Sequence, residues 1–217
     1  MSTSAGDPNG TGRFWGIGRT RRALLLLSFG LLLPLSLAAE TEETEEARPY
    51  ALVEFASFDC PHCRQITETH KRIHGMAERA GLEIVYAPLP NHGDMAAAWR
   101  ERTWYAAREL PEPYPSEVMQ GLFAAQDVRS LRTREEVKAW LQMTVPDVDW
   151  GRFIAERVDN RATVAALERA ASLAANAGLR EYPAWALVMR SGEAELVGGR
   201  GDVADRMDEL VERLEEL

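Results

Sequence analysis

The chain has little cysteine: among 217 residues only Cys60 and Cys63 carry a thiol. So few thiols exclude a scaffold braced by several disulfides. They also cannot alone fill a closed zinc site, which takes four Cys or His ligands. Basic charge is short as well, with 25 Lys and Arg against 34 Asp and Glu, and that balance excludes the clustered cations a nucleic-acid binder needs. Long apolar runs are nearly absent. The one that occurs, residues 23–39 (ALLLLSFGLLLPLSLAA), is 17 residues long. That is at the low edge of a membrane span, and Pro34 interrupts its helix. No internal repeat is found, and low complexity is confined to the acidic stretch 40–48 (ETEETEEAR).

The apolar run follows Arg19-Thr20-Arg21-Arg22, and Ser36-Leu37-Ala38 sets small residues at the −3 and −1 positions of a signal-peptidase site. Residues 1–39 therefore read as a secretory signal, with the mature chain beginning at Ala39 or Glu40. An uncleaved membrane anchor is the alternative, and twin-arginine export ranks below export of the unfolded chain. Cleavage after Ala38 removes four arginines and one aspartate, leaving 21 basic against 33 acidic residues, a net charge of −12. The expected compartment is the periplasm, where thiols can stay oxidised.

Residues 40–49 form an acidic linker expected to be disordered. Residues 50–58 (YALVEFASF) are apolar, short and followed by a proline, the pattern of a buried strand. Pro61 suits the first turn of a helix, since its missing N–H would be unpaired there. Ile66, Ile73, Met76 and Ala77 recur at helical spacing up to Gly81, a C-cap residue. Residues 82–89 (LEIVYAPL) form a second strand, so strand, helix and strand predict a parallel βαβ unit. From 91 to 179 only helical patterns follow, with a capping box at Thr133 to Glu136 and a terminator at Gly178. Strand character returns over 184–198, with a turn at Ser191-Gly192-Glu193. The C-terminal stretch places Val203, Met207, Leu210, Val211, Leu214 and Leu217 on one face of an amphipathic helix.

The stretch 58–63, FDCPHC, admits three readings. As a structural staple, a disulfide across three residues closes a very small loop, which stabilises least in the chain-entropy model. As a metal site, Cys60, His62 and Cys63 need a further ligand. His70 and His74 lie on the following helix, roughly 10 Å along its axis from Cys63 at about 1.5 Å per residue. Two ligands of one zinc stand no more than about 4.5 Å apart. His92 would have to arrive through the tertiary fold. As a redox couple, Cys60 stands where a strand meets a helix, and the helix's free N–H groups and dipole favour its thiolate. His62, within one turn, adds a cation or a donor. Cys63 then faces inward as the resolving thiol.

VEFASFDCPHC, a helical insert, and then LREYPAW resemble the DsbA-like thiol–disulfide oxidoreductases of the thioredoxin superfamily, over essentially all of residues 50–217. The resemblance implies an α/β thioredoxin-like fold with an all-helical inserted subdomain. Its halves would be residues 50–90 and 180–217, and its insert 91–179. It implies catalytic Cys60 and Cys63, supported by Pro61, by His62 and by Glu54 as a buried acid beneath the site. Pro183 would be a cis-proline against the sulfurs, and Tyr182 a substrate-binding residue, with Trp185 a further candidate for the groove. Ten residues before YALVEF leave little room for the family's usual first strand. Tyr182 replaces the small or β-branched residue common there. Asp59, an acid beside Cys60, would oppose thiolate formation.

The expected function is therefore an exported protein disulfide oxidase, monomeric and free of cofactor and metal. Its partners would be reduced, unfolded secreted proteins and a membrane reoxidant of the quinone-linked DsbB type. A periplasmic disulfide reductase or isomerase, or a copper-handling module with the same thiolates, are the alternatives. Nucleic acid is not expected as a partner.

Overall fold

The computed structural model describes residues 45–217 apart from 67–69, 92–93, 129–130 and 199–200. The expected signal segment 1–39, most of the expected acidic linker and His92 therefore lie outside the described residues. A four-stranded mixed sheet in the order β2-β1-β3-β4 organises the molecule. β1 (Pro49–Ala56) pairs in parallel with β2 (Glu83–Pro88) and antiparallel with β3 (Ala184–Met189), which pairs antiparallel with β4 (Ala194–Val197). β1 is thus an inner strand covered on both faces. Its six buried residues in succession have that origin.

Two cores flank the sheet. Val53 and Phe55 point to one that includes Trp104, Leu122 and Trp150. Leu52 points to the other, with Ile66, Ile73, Trp185, Leu187, Leu210 and Leu214. The second core is capped by α1 (Pro61–Ile66), α2 (His70–Arg79) and, later in the chain, α8 (Val203–Glu215). The first is covered by the helical insert between β2 and β3. That insert comprises α3 (Trp99–Ala107), α4 (Tyr114–Ala124), α5 (Arg134–Thr144), α6 (Trp150–Phe153) and α7 (Arg161–Asn176). Among the described residues, no strand interrupts it. The fold is the thioredoxin-like α/β class with a helical insertion.

Local chemistry sets several boundaries. Gly81 and Gly178 end α2 and α7 with φ of +74° and +77°, a backbone that side-chain-bearing residues avoid. Thr133 and Glu136 form the expected capping box on α5. Trp150 is fully buried, and its indole donates to the Val145 carbonyl at 2.8 Å.

The expectations need correction in places. Glu45–Ala47 are ordered as a short 3-10 turn rather than a disordered linker. The Glu46 and Arg48 carbonyls accept from Ser191 and Arg190, so the hairpin of β3 and β4 holds this segment. The helical pattern starting at Asp94 yields a helix only from Trp99, because Asp94 Oδ1 accepts from the N–H groups of Ala96 and Ala97 in a turn. Residues 154–158 wind as a π-helical turn. Leu217, placed on the apolar face of α8, is exposed beyond the helix end. Among the described residues no helix is long and apolar enough to cross a membrane.

Candidate active site

β1 ends at Ala56, and the chain turns through residues 57–60 into α1. The Cys60 N–H donates to the Ser57 carbonyl at 3.0 Å and the Asp59 N–H to Ser57 Oγ at 3.3 Å. The turn leaves Cys60 at the capping position of α1. Its Sγ accepts the Cys63 N–H at 3.3 Å, as a capping serine oxygen would. Cys60 is half-buried, whereas Cys63, one turn on, is buried against the sheet. Both are free thiols.

The two sulfurs are pushed in opposite directions. Cys60 is lowered to about 6. The hydrogen bond from the Cys63 thiol is the largest cause, assisted by the N–H groups of Cys63 and His62 and by the His62 charge, and burial opposes it. Cys63 is raised far above the ordinary thiol range by its bond to the Cys60 thiolate and by burial, with Glu54's charge a smaller contribution. The pair behaves as one unit that loses its first proton at Cys60.

Glu54 is buried on β1, between Tyr86 of β2 and Trp185 of β3 in the strand register. Its charge, after burial, pushes the Tyr86 phenol well above its usual range. Tyr182-Pro183 is a cis peptide, as is Glu112-Pro113 at the start of α4. The Cys60 thiol donates to the Tyr182 carbonyl at 3.6 Å, across 122 positions of sequence. Tyr182 is half-buried against the insert, and burial raises its phenol to about 12. Trp185 is fully buried in the second core and takes no part in a surface groove. A cleft opens over Cys60, Pro61 and His62, bounded by Tyr182, Arg180 and Arg206. His70 and His74 lie on α2.

Several participants come from distant parts of the chain and have no motif to mark them. Arg100, on α3, forms a two-pronged ion pair with Asp59, at 2.7 and 2.5 Å. The guanidinium is buried and Asp59 partly exposed. This pair bears on the expectation for Asp59: Arg100 offsets the charge of the acid beside Cys60. Gln126 Nε2 donates to the Phe58 and Cys60 carbonyls at 2.7 and 3.2 Å, so the insert also grips the backbone of the motif. Glu101, next to Arg100, is wholly buried, and burial raises its carboxyl to about 7. Its charge adds to burial in raising both the Tyr105 and the Tyr182 phenol. One signal was available. In WRERTWYAA, three charged residues, Arg100, Glu101 and Arg102, stand between two tryptophans of a largely buried helix.

No protein-family model matches the chain, and no curated protein matches it in sequence. Solved structures do match. The disulfide oxidoreductase DsbA from Proteus mirabilis superposes with a TM-score of 0.56 at 18% identity, covering 79% of this chain and 91% of its own. The DsbA disulfide interchange protein from Klebsiella pneumoniae gives 0.55 at 17% identity, covering 78% and 88%. A Proteus DsbA complex with a non-covalently bound peptide, PWATCDS, gives 0.52 at 18% identity, covering 79% and 90%. The four-stranded sheet, its helical insertion and these superpositions give the chain the DsbA-like thioredoxin fold.

Proposed function

We propose that the protein is a thiol–disulfide oxidoreductase that introduces disulfides into reduced secreted proteins through Cys60 and Cys63. The carrying observation is the opposite tuning of the two thiols: a reachable Cys60 that ionises near 6 and a buried Cys63 that keeps its proton. In the oxidised form a substrate thiolate attacks Cys60 Sγ. The Cys60–Cys63 bond breaks, and Cys63 leaves with the electron pair and takes a proton. A second substrate thiolate then attacks the substrate sulfur of the mixed disulfide. Cys60 departs as a thiolate, and two electrons have passed from substrate to enzyme. The low pKa makes Cys60 a good leaving group, and stabilising the reduced form makes the disulfide more oxidising. Pro61 and His62 set the thiolate's surroundings. Glu54 is the buried acid near the resolving thiol, and Tyr182 and Pro183 offer the wall against which an extended peptide docks.

On this reading the protein acts in the periplasm as a monomer, after cleavage of its signal, and returns to the disulfide through a DsbB-type quinone-linked membrane partner. Two measurements test it. Equilibration with glutathione should leave the dithiol form dominant even at low reduced glutathione. A disulfide that resists the glutathione pool would make the protein a reductase instead. Intact mass of the periplasmic fraction should begin at Ala39 or Glu40, whereas an intact Met1 in the membrane pellet would mean an anchor.

A further inference from the structure

We infer that Arg206 is a positioning residue for the Cys60 thiol, acting through segment 181–183; the inference rests on the exchange reaction above only for its kinetic readout. Arg206 lies in the first turn of α8, and its side chain is just 6% exposed. A charge so buried needs several partners to offset its lost hydration. Its partners converge on one place. Nη1 donates to the Pro183 carbonyl at 2.8 Å, and Nη2 lies 3.8 Å from Glu181 Oε2. These contacts fall on either side of Tyr182. The Tyr182 carbonyl is the one that accepts from the Cys60 thiol, at 3.6 Å. The guanidinium thus holds both neighbours of the residue whose backbone touches the nucleophile.

The anchor is itself fixed. Nε donates to the Asp202 carbonyl at 3.3 Å, and Asp202 with Asp205 forms a capping box on α8. Leu210 and Leu214 bury the helix in the second core. Gly198, at φ +66°, packs so closely that an added Cβ would lie 2.5 Å from the Arg206 carbonyl oxygen. An oxygen accepting from a thiol favours the protonated form, so the Tyr182 carbonyl opposes the N–H groups of Cys63 and His62. Where it is held therefore sets how readily Cys60 ionises. Arg206 also borders the cleft over Cys60, so loosening segment 181–183 deforms the wall that an extended peptide would meet.

Arg206→Met removes all three contacts. Iodoacetamide labelling of Cys60 against pH, mapped by mass spectrometry, reads the thiol, and oxidation of a reduced dithiol peptide reads kcat and KM. The expected alkylation midpoint falls by about half a pH unit, roughly threefold more thiolate on the acid side. KM rises more than kcat falls. Arg206→Lys, which keeps a single cationic donor, should lie between. A folded Met variant with the wild-type midpoint and KM overturns the inference. Arg206→Gln, polar but too short to reach Pro183, decides in the same way where the Met variant does not fold. In the wild-type protein, Arg206 Nη hydrogens that exchange freely with water by NMR would overturn it without any variant. A wild-type protein that leaves the peptide reduced sinks the proposed reaction, while the alkylation midpoints still decide the role of Arg206.

Discussion

Replacing Glu101 by glutamine should remove a pH-dependent weakness from the fold. Glu101 is wholly buried on α3, and neither carboxyl oxygen meets a donor at bonding geometry among the described residues. Burial raises its pKa from 4.5 to about 7, with Arg100 opposing and Asp59 adding to the rise. The folded chain therefore holds this proton more tightly than the unfolded chain. The stability it confers is fully present below pH 4.5, declines as pH rises through about 7, and is flat above. The difference between folded and unfolded pKa corresponds to about 3 kcal/mol lost across that window. Glutamine has nearly the same shape and does not ionise. Urea melts at pH 5, 6, 7 and 8 read the difference between wild type and Glu101→Gln. The measurement belongs in the oxidised protein, because the Cys60 thiol titrates in the same window with the opposite sign. A thiol lowered to about 6 gives the reduced fold stability that grows as pH rises from about 6 toward 9. The variant should gain on the wild type from pH 5 to pH 7 and level off toward pH 8. Two curves that stay parallel over that range would refute a buried, protonated carboxyl.

Further outcomes test the site and the insert. Cys60 in the reduced protein should be alkylated with a midpoint near 6 while Cys63 stays protected; His62→Ala should raise that midpoint, and equal reactivity of the two thiols would end the case for a tuned pair. Arg100→Met should also raise it, by removing the two-pronged cation that offsets the Asp59 carboxylate, and Asp59→Asn in the same chain should reverse the change; mass-spectrometric labelling reads both. Cys63→Ser should accumulate mixed disulfides on Cys60 that survive non-reducing gels, and a variant that traps nothing from reduced protein counts against the exchange mechanism. Trp150→Ala should cost about 3–5 kcal/mol in a urea melt, because it empties a fully buried indole site and strands the Val145 carbonyl.

What the sequence disclosed and what it hid divide by distance along the chain. The strand ends, the capping box at Thr133 and the terminators at Gly81 and Gly178 are local, so short windows carried them. The inner position of β1 was readable from an apolar run that Glu54 alone interrupts. The Cys60–Cys63 spacing at a strand-to-helix junction was equally local. The partner of Asp59 stands 41 positions away, so no short window of sequence joins the two. Gln126 and Arg206 carry no pattern at all; each acts through a backbone carbonyl that only the folded chain brings within reach. Asp94 shortened a helix through side-chain bonds that periodicity does not register.

The contact between the Cys60 thiol and the Tyr182 carbonyl joins two points 122 residues apart. Ties of such span form late, after the intervening chain has paid its loop-closure entropy. A chain still emerging, complete through Cys63 but not to residue 182, holds the pair without its carbonyl partner. Before it reaches residue 126 it also lacks the arginine of α3 or the glutamine beyond α4 that fasten the turn before α1. A helix as short as α1 does not hold its shape in water without the rest of the fold, so the N–H groups that lower Cys60 are not yet fixed there, and both thiols lie near the unperturbed value of about 8.5, largely protonated at neutral pH. On the proposed exchange reaction, chemical competence is thus a property of the finished molecule, and partly made chains are slow to trade disulfides with one another.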